Sequence, residues 1–162
     1  MIGSASTGVT TYTTPTDRDV VITRVVNAPR ALVFDAFTNP LRIPKWMTGP
    51  EGWTMPVCEI DLRPGGTWRY VWRKTEGEEM AMSGTVREVV PPERMVTTES
   101  WGPDWPETIN TLVLTEAGGQ TTITLTVHYP TKEARDAALQ TGMKDGMDQT
   151  YARLDELLAS WV

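Results

Sequence analysis

Residues 121–128 read Thr-Thr-Ile-Thr-Leu-Thr-Val-His, and this strict alternation constrains the fold more than any other feature of the chain. Successive side chains of a strand point to opposite faces, so Ile123, Leu125 and Val127 form an apolar face and Thr122, Thr124 and Thr126 a polar one. Such a strand belongs to an antiparallel sheet with one wet face, and its apolar face must be covered by another element. The period of two returns at Trp68, Tyr70 and Trp72, which alternate with Arg69, Val71 and Arg73. Further strands are predicted over 20–27, 53–62, 80–90, 94–101 and 108–115. The last of these joins 121–129 through Gly118-Gly119 as a hairpin.

The cover comes from the C-terminal segment. Met143, Met147, Tyr151, Leu154, Leu158 and Trp161 follow one another at steps of three or four, which keeps them on one stripe of a helix. The helix is predicted over 131–160, with Thr131 as its N-cap and Glu133 favourable to the dipole in the first turn. Gly142 and Gly146 interrupt it, each at a cost of about 1 kcal/mol relative to Ala. Either the helix bends there or another group approaches closely. Between the first strand and the rest of the sheet, Val33, Phe34 and Phe37 form a short helical stripe after Pro29. Asn39-Pro40 ends it, and a second short helix over 41–47 is limited by Pro44. The order is one strand, two short helices, six strands and one long helix. At 162 residues, against about 150 per domain, the chain is expected to be one domain over 18–162 behind a flexible Ser/Thr/Gly-rich tail over 1–17.

Composition removes several functions. Fifteen basic and 21 acidic residues leave a net charge of −6, which argues against nucleic acid or an anionic membrane as partner. One cysteine, Cys58, and one histidine, His128, exclude an intrachain disulfide and any Cys/His zinc cluster. No apolar run approaches the ~20 residues that span a bilayer. The first residues carry neither a basic region nor an apolar core of a signal peptide, so a cytoplasmic location is expected.

Chemistry-bearing residues are sparse. Cys58 and His128 lie on strands far apart in sequence and read as a structural thiol and an edge residue. The Arg63-Pro64-Gly65-Gly66 segment lacks the surroundings of a phosphate loop and reads as a turn. Glu59 and Asp61 alternate with Cys58, Ile60 and Leu62, so they are expected to face water beside Arg69, Arg73 and Arg87. Glu88 and Glu99 lie on neighbouring predicted strands. Seven tryptophans and eight methionines against two phenylalanines supply large, adaptable apolar surface.

The element order and a set of residues resemble the SRPBCC/START superfamily, and within it the family named for activator of heat-shock protein 90 ATPase homologue 1-like proteins. The residues are Ile22-Thr23-Arg24, Ala28-Pro29, Val33-Phe34, Lys45-Trp46 and Asp61-Leu62-Arg63-Pro64-Gly65-Gly66 with Trp68. Gly84, Arg87-Glu88-Val89, Pro91-Pro92-Glu93-Arg94 and the Gly142…Gly146…Thr150 helix with Leu154 and Leu157 complete it. Met47 and Met147 stand where relatives often carry aromatic residues, and both positions bear on a ligand site. The resemblance implies an α+β helix-grip fold. In it a curved antiparallel sheet of about six or seven strands wraps the C-terminal helix and often encloses an elongated apolar cavity.

On that fold the strand face Trp68, Tyr70 and Trp72 is expected to oppose the helix face Met143, Met147 and Tyr151, with Trp46 near one end. These seven residues are the expected binding site for a hydrophobic or aromatic small molecule, in a cavity of roughly 300–1,000 Å³. No catalytic residue is assigned, and neither metal nor other cofactor is expected. The expected partners are that small molecule and at most a second copy in a homodimer, with no nucleic acid and no membrane insertion. Two alternatives stay open. A polyketide cyclase/dehydratase-like enzyme would need a carboxyl with a raised pKa in the cavity. A co-chaperone-like interaction module would need an exposed apolar patch, for which only the 101–105 loop offers tryptophans.

Overall fold

The computed structural model describes residues 7–161. Two strands, β1 (Thr10–Thr13) and β2 (Asp19–Val26), precede the helices α1 (Arg30–Thr38) and α2 (Ile43–Trp46). Six strands follow: β3 (Trp53–Ile60), β4 (Thr67–Lys74), β5 (Glu79–Val90), β6 (Arg94–Glu99), β7 (Thr108–Ala117) and β8 (Gln120–His128). The chain closes with α3 (Lys132–Leu139) and α4 (Met143–Trp161). All eight strands form one curved antiparallel sheet in the order β1-β2-β8-β7-β6-β5-β4-β3. Every neighbouring pair is consecutive in sequence except β2–β8, where Ile22 lies opposite Leu125. This is the helix-grip architecture, with one strand more than expected.

The extra strand is β1, inside the segment expected to be a tail without regular structure. Thr10–Thr13 pairs with Val21–Arg24 of β2, and β-branched threonines suit an edge strand. Composition suggested disorder there, but an available sheet edge decided the outcome. Residues 1–6 of that expected tail lie outside the described residues.

The predicted C-terminal helix is two helices. Thr131 caps α3 as expected, its hydroxyl accepting from the Ala134 N–H at 3.0 Å. The break falls at Gly142, whose φ of +81° is a left-handed conformation that terminates a helix and that only glycine adopts readily. Gly146 sits inside α4 on its exposed side, and a Cβ there would meet open space. Its absence of a side chain accommodates nothing, so of the two expected alternatives it is the bend, at Gly142, that occurs.

Two apolar clusters hold the molecule together. The larger one packs Tyr151, Leu154 and Leu158 of α4 onto Val20 and Ile22 of β2, Leu112 and Leu114 of β7, and Ile123 and Val127 of β8. Phe34, Phe37 and Trp46 of α1 and α2 close it. Each fully buried Leu, Ile or Val contributes about 1.5–3 kcal/mol relative to exposure. Arg24 shares the β2 face of Val20 and Ile22 and is only 4% exposed. Its charge is compensated by Asp155 of α4, by the Thr10 hydroxyl at 2.6 Å and by the Tyr151 ring beneath it. The smaller cluster holds Trp68, Tyr70 and Trp72 of β4 with Ile43, Met55 and Val86. Met47 and Val89 touch both clusters.

Candidate functional site

Between the two clusters the concave face of the sheet leaves a cavity of about 110 Å³. Strand alternation builds its walls. Met95, Thr97 and Glu99 are every second residue of β6, and all three line it. Asn110 and Leu112 do the same from β7, and Trp68 and Tyr70 from β4. Phe37, Trp68, Tyr70, Met95 and Leu112 are buried and form the inner wall. Met47, Ile60, Met82, Thr97, Glu99, Asn110 and Leu125 are half-buried and form the rim.

The position of Trp68 depends on Gly84. The two residues are directly opposite across β4 and β5, and the indole N–H of Trp68 donates over Gly84 to the Thr98 carbonyl oxygen of β6 at 3.0 Å. A Cβ on Gly84 would stand 1.8 Å from that oxygen and 2.8 Å from the indole nitrogen. No side chain fits there, which explains a glycine in the interior of a strand.

The polar end of the cavity is Glu99. Its Oε2 accepts from the Trp101 indole N–H at 2.9 Å and its Oε1 from Asn110 Nδ2 at 2.7 Å. Asn110 is oriented in turn by the Thr108 hydroxyl, which donates to Oδ1 at 3.1 Å. Burial raises the Glu99 carboxyl pKa above the ordinary range, while these two hydrogen bonds act in the opposite direction. Burial also raises the phenols of Tyr70 and Tyr129, the latter to about 12, with the nearby Glu99 charge adding to both. The Cys58 thiol is pushed up to about 11 by burial and Glu59, so it stays protonated and unreactive at neutral pH.

The seven residues expected to form one strand-against-helix site are divided between the two apolar clusters. Of the seven residues named for it, only Trp68 and Tyr70 line the cavity. Trp72 is locked by its N–H to the Met47 carbonyl oxygen at 2.7 Å and by a stacked contact with Trp101 at 5.5 Å. Trp46 donates to the Ala36 carbonyl oxygen at 2.9 Å and stacks on Tyr151, inside the larger core. Met143 and Met147 pack against that same core. The physical reason is sheet order: β4 lies near one edge of the sheet, whereas the buried face of α4 packs over β2, β8 and β7 on the other half. The Tyr151 hydroxyl is buried with no hydrogen-bond partner among the described residues, and Tyr151 does not line the cleft. The cavity is also smaller than expected, because Met47, Met82, Met95 and the two aromatic rings of β4 fill much of the space.

The sequence places Glu99 among the candidate carboxylates but not among the cleft residues, although its parity points there. In Met95-Val96-Thr97-Thr98-Glu99 the carboxylate shares the parity of Met95, an apolar residue bound for the concave face. Glu59 and Asp61 do face water, Asp61 pairing with Arg63 at 2.8 Å to brace the turn. His128 pairs with Asp19 across the β2–β8 ladder, at 2.6 Å, and is half-buried.

A curved antiparallel sheet gripping a long C-terminal helix is the fold of the SRPBCC/START class of protein. The sequence model of the Activator of Hsp90 ATPase homolog 1-like protein family matches residues 27–159, and the chain belongs to that family. Among solved structures it is similar to a Rhodobacter sphaeroides protein at 30% identity, covering 94% of this chain and 99% of that one, with a TM-score of 0.87. A Nitrosomonas europaea protein is 27% identical over 91% and 97% of the two chains, with a TM-score of 0.80. A Mycobacterium smegmatis protein is 25% identical over 93% and 97%, also at 0.80. No curated protein matches the chain.

Proposed function

We propose that this protein binds a small apolar molecule, about one ring in size, in the cleft between β4 and β7, with Glu99 and Asn110 as its polar contacts. The observation that carries the reading is an apolar cavity whose one ionisable rim group, Glu99, is held in place by two donors. Ligand sites combine an apolar lining with few, well-placed polar groups in this way. An apolar cavity of about 150 Å³ takes up benzene. Met47, Met82 and Met95 border the 110 Å³ cleft, and flexible methionine side chains adapt to an irregular ligand. No helix among the described residues is long and apolar enough to cross a membrane.

The test is a titration with neutral single-ring compounds such as toluene and benzyl alcohol, followed by tryptophan fluorescence. Trp68 borders the cleft and Trp101 touches Glu99, so emission is expected to change saturably. Thr97→Phe, which places a ring in the cleft, is expected to abolish the response while the protein stays folded. A response unaltered by that substitution would contradict the reading.

A second reading is favoured by the raised pKa of Glu99. A carboxyl whose proton is held more tightly than usual is suited to general acid–base work on a bound molecule. In that case turnover of a substrate would follow the ionisation of Glu99, and Glu99→Gln would remove it.

A further inference from the structure

We infer that the ligand of this cleft carries a cationic nitrogen, an ammonium or amidinium group, which pairs with Glu99 at the rim while its hydrocarbon part fills the cavity. The inference rests on the binding reading above and gives it a substrate class.

An ionised carboxylate offers about four lone-pair directions. On Glu99 the Trp101 and Asn110 donors occupy one direction of each oxygen, and the others meet no donor among the described residues. Five other carboxylates pair with arginines: Asp35 with Arg42, Asp61 with Arg63, Glu79 with Arg73, Glu88 with Arg94 and Asp155 with Arg24. Glu99 has no such partner among the described residues, and no basic group lies close enough to favour its ionised form. It is half-buried, and that burial disfavours its ionised form.

A cation arriving with the ligand would supply the missing partner. The rim also suits one. The Trp68 and Tyr70 rings line the cleft beside the carboxylate, and aromatic faces attract cations. The chain's net charge of −6 draws cations and repels anions at long range. A neutral ligand would leave the remaining Glu99 lone pairs dependent on solvent, and an anionic one would meet the carboxylate head on.

The experiment is calorimetric titration of the whole chain with benzylamine, benzyl alcohol and benzoate, which share a ring and differ in the head group. Benzylamine is expected to bind at least tenfold more tightly than benzyl alcohol, and benzoate not at all. Glu99→Gln is expected to erase the amine's tenfold advantage over benzyl alcohol. Thr97→Phe is expected to abolish amine binding; amine binding that survives it would be attachment to the acidic surface and would overturn the inference. Benzyl alcohol binding as tightly as benzylamine, or measurable binding of benzoate, would overturn it too while leaving the apolar cleft standing. If none of the three binds, the binding reading itself fails. The comparison of the three compounds on the unaltered protein needs no variant to fold.

Discussion

Single side chains decide what the mid-sheet cleft is. Glu99 is the one ionisable group on its rim, and its raised pKa gives a stability signature. The folded protein holds this proton more tightly than the unfolded chain, so the stability it contributes is fully present below the ordinary carboxylate value. That contribution declines as pH rises through the window between the unfolded and folded values. The melting temperature of the unaltered protein relative to Glu99→Gln is therefore expected to fall as pH is raised from about 4 toward neutrality. A difference independent of pH would mean that Glu99 ionises as freely as in the unfolded chain. Trp72 provides the complementary test. It is buried, hydrogen-bonded and stacked on Trp101 without bordering the cavity, so Trp72→Ala is expected to cost about 3–5 kcal/mol in urea unfolding. A clearly smaller loss would mean that its ring faces empty space. The parity of Trp68, Tyr70 and Trp72 was legible in the sequence. What each ring meets was not, because that depends on Met47, Trp101 and Thr98, which are distant in the chain.

At the scale of elements, the strands and short helices follow from alternation, turn residues and prolines. Pro44 stands in the first turn of α2, and the Gly118-Gly119 turn joins β7 to β8. Two elements escaped that reasoning. The edge strand β1 has no pattern of its own and exists because β2 offers an unpaired edge. The break between α3 and α4 depends on the conformation at Gly142, which composition alone does not distinguish from that at Gly146. The two glycines are now expected to respond oppositely. Gly146→Ala, in a helix interior with open space around it, is expected to raise stability by up to about 1 kcal/mol. Gly142→Ala, at a φ of +81°, is expected to lower it by about 1 kcal/mol. Thermal unfolding of the pair checks this, and changes of the same sign would contradict the assigned helix break.

Across the whole molecule, the helix-grip architecture was legible because only one element could cover so long a half-apolar sheet. The position of the mid-sheet cleft was not, because the offset between β4 and α4 arises from the strand order and sheet curvature rather than from any local pattern. The Arg24–Asp155 pair ties the gripping helix to β2. Asp155→Ala would leave a buried arginine uncompensated, and the expected cost is about 2–3 kcal/mol, below that of a fully buried pair because Asp155 is a third exposed. Denaturant midpoints measure it, and a loss under about 1 kcal/mol would mean that Thr10 and Tyr151 suffice to hold Arg24.

The methionines give the most direct test of where a ligand sits. Met47, Met82 and Met95 border the cleft, whereas Met143 and Met147 pack on the larger core along α4. With methyl-labelled methionine, titration of benzyl alcohol is expected to move the Met47, Met82 and Met95 methyl resonances through the ring current. Those of Met143 and Met147 are expected to stay in place. Movement of the Met143 and Met147 signals, with the other three unchanged, would put the ligand under the helix and contradict the cleft.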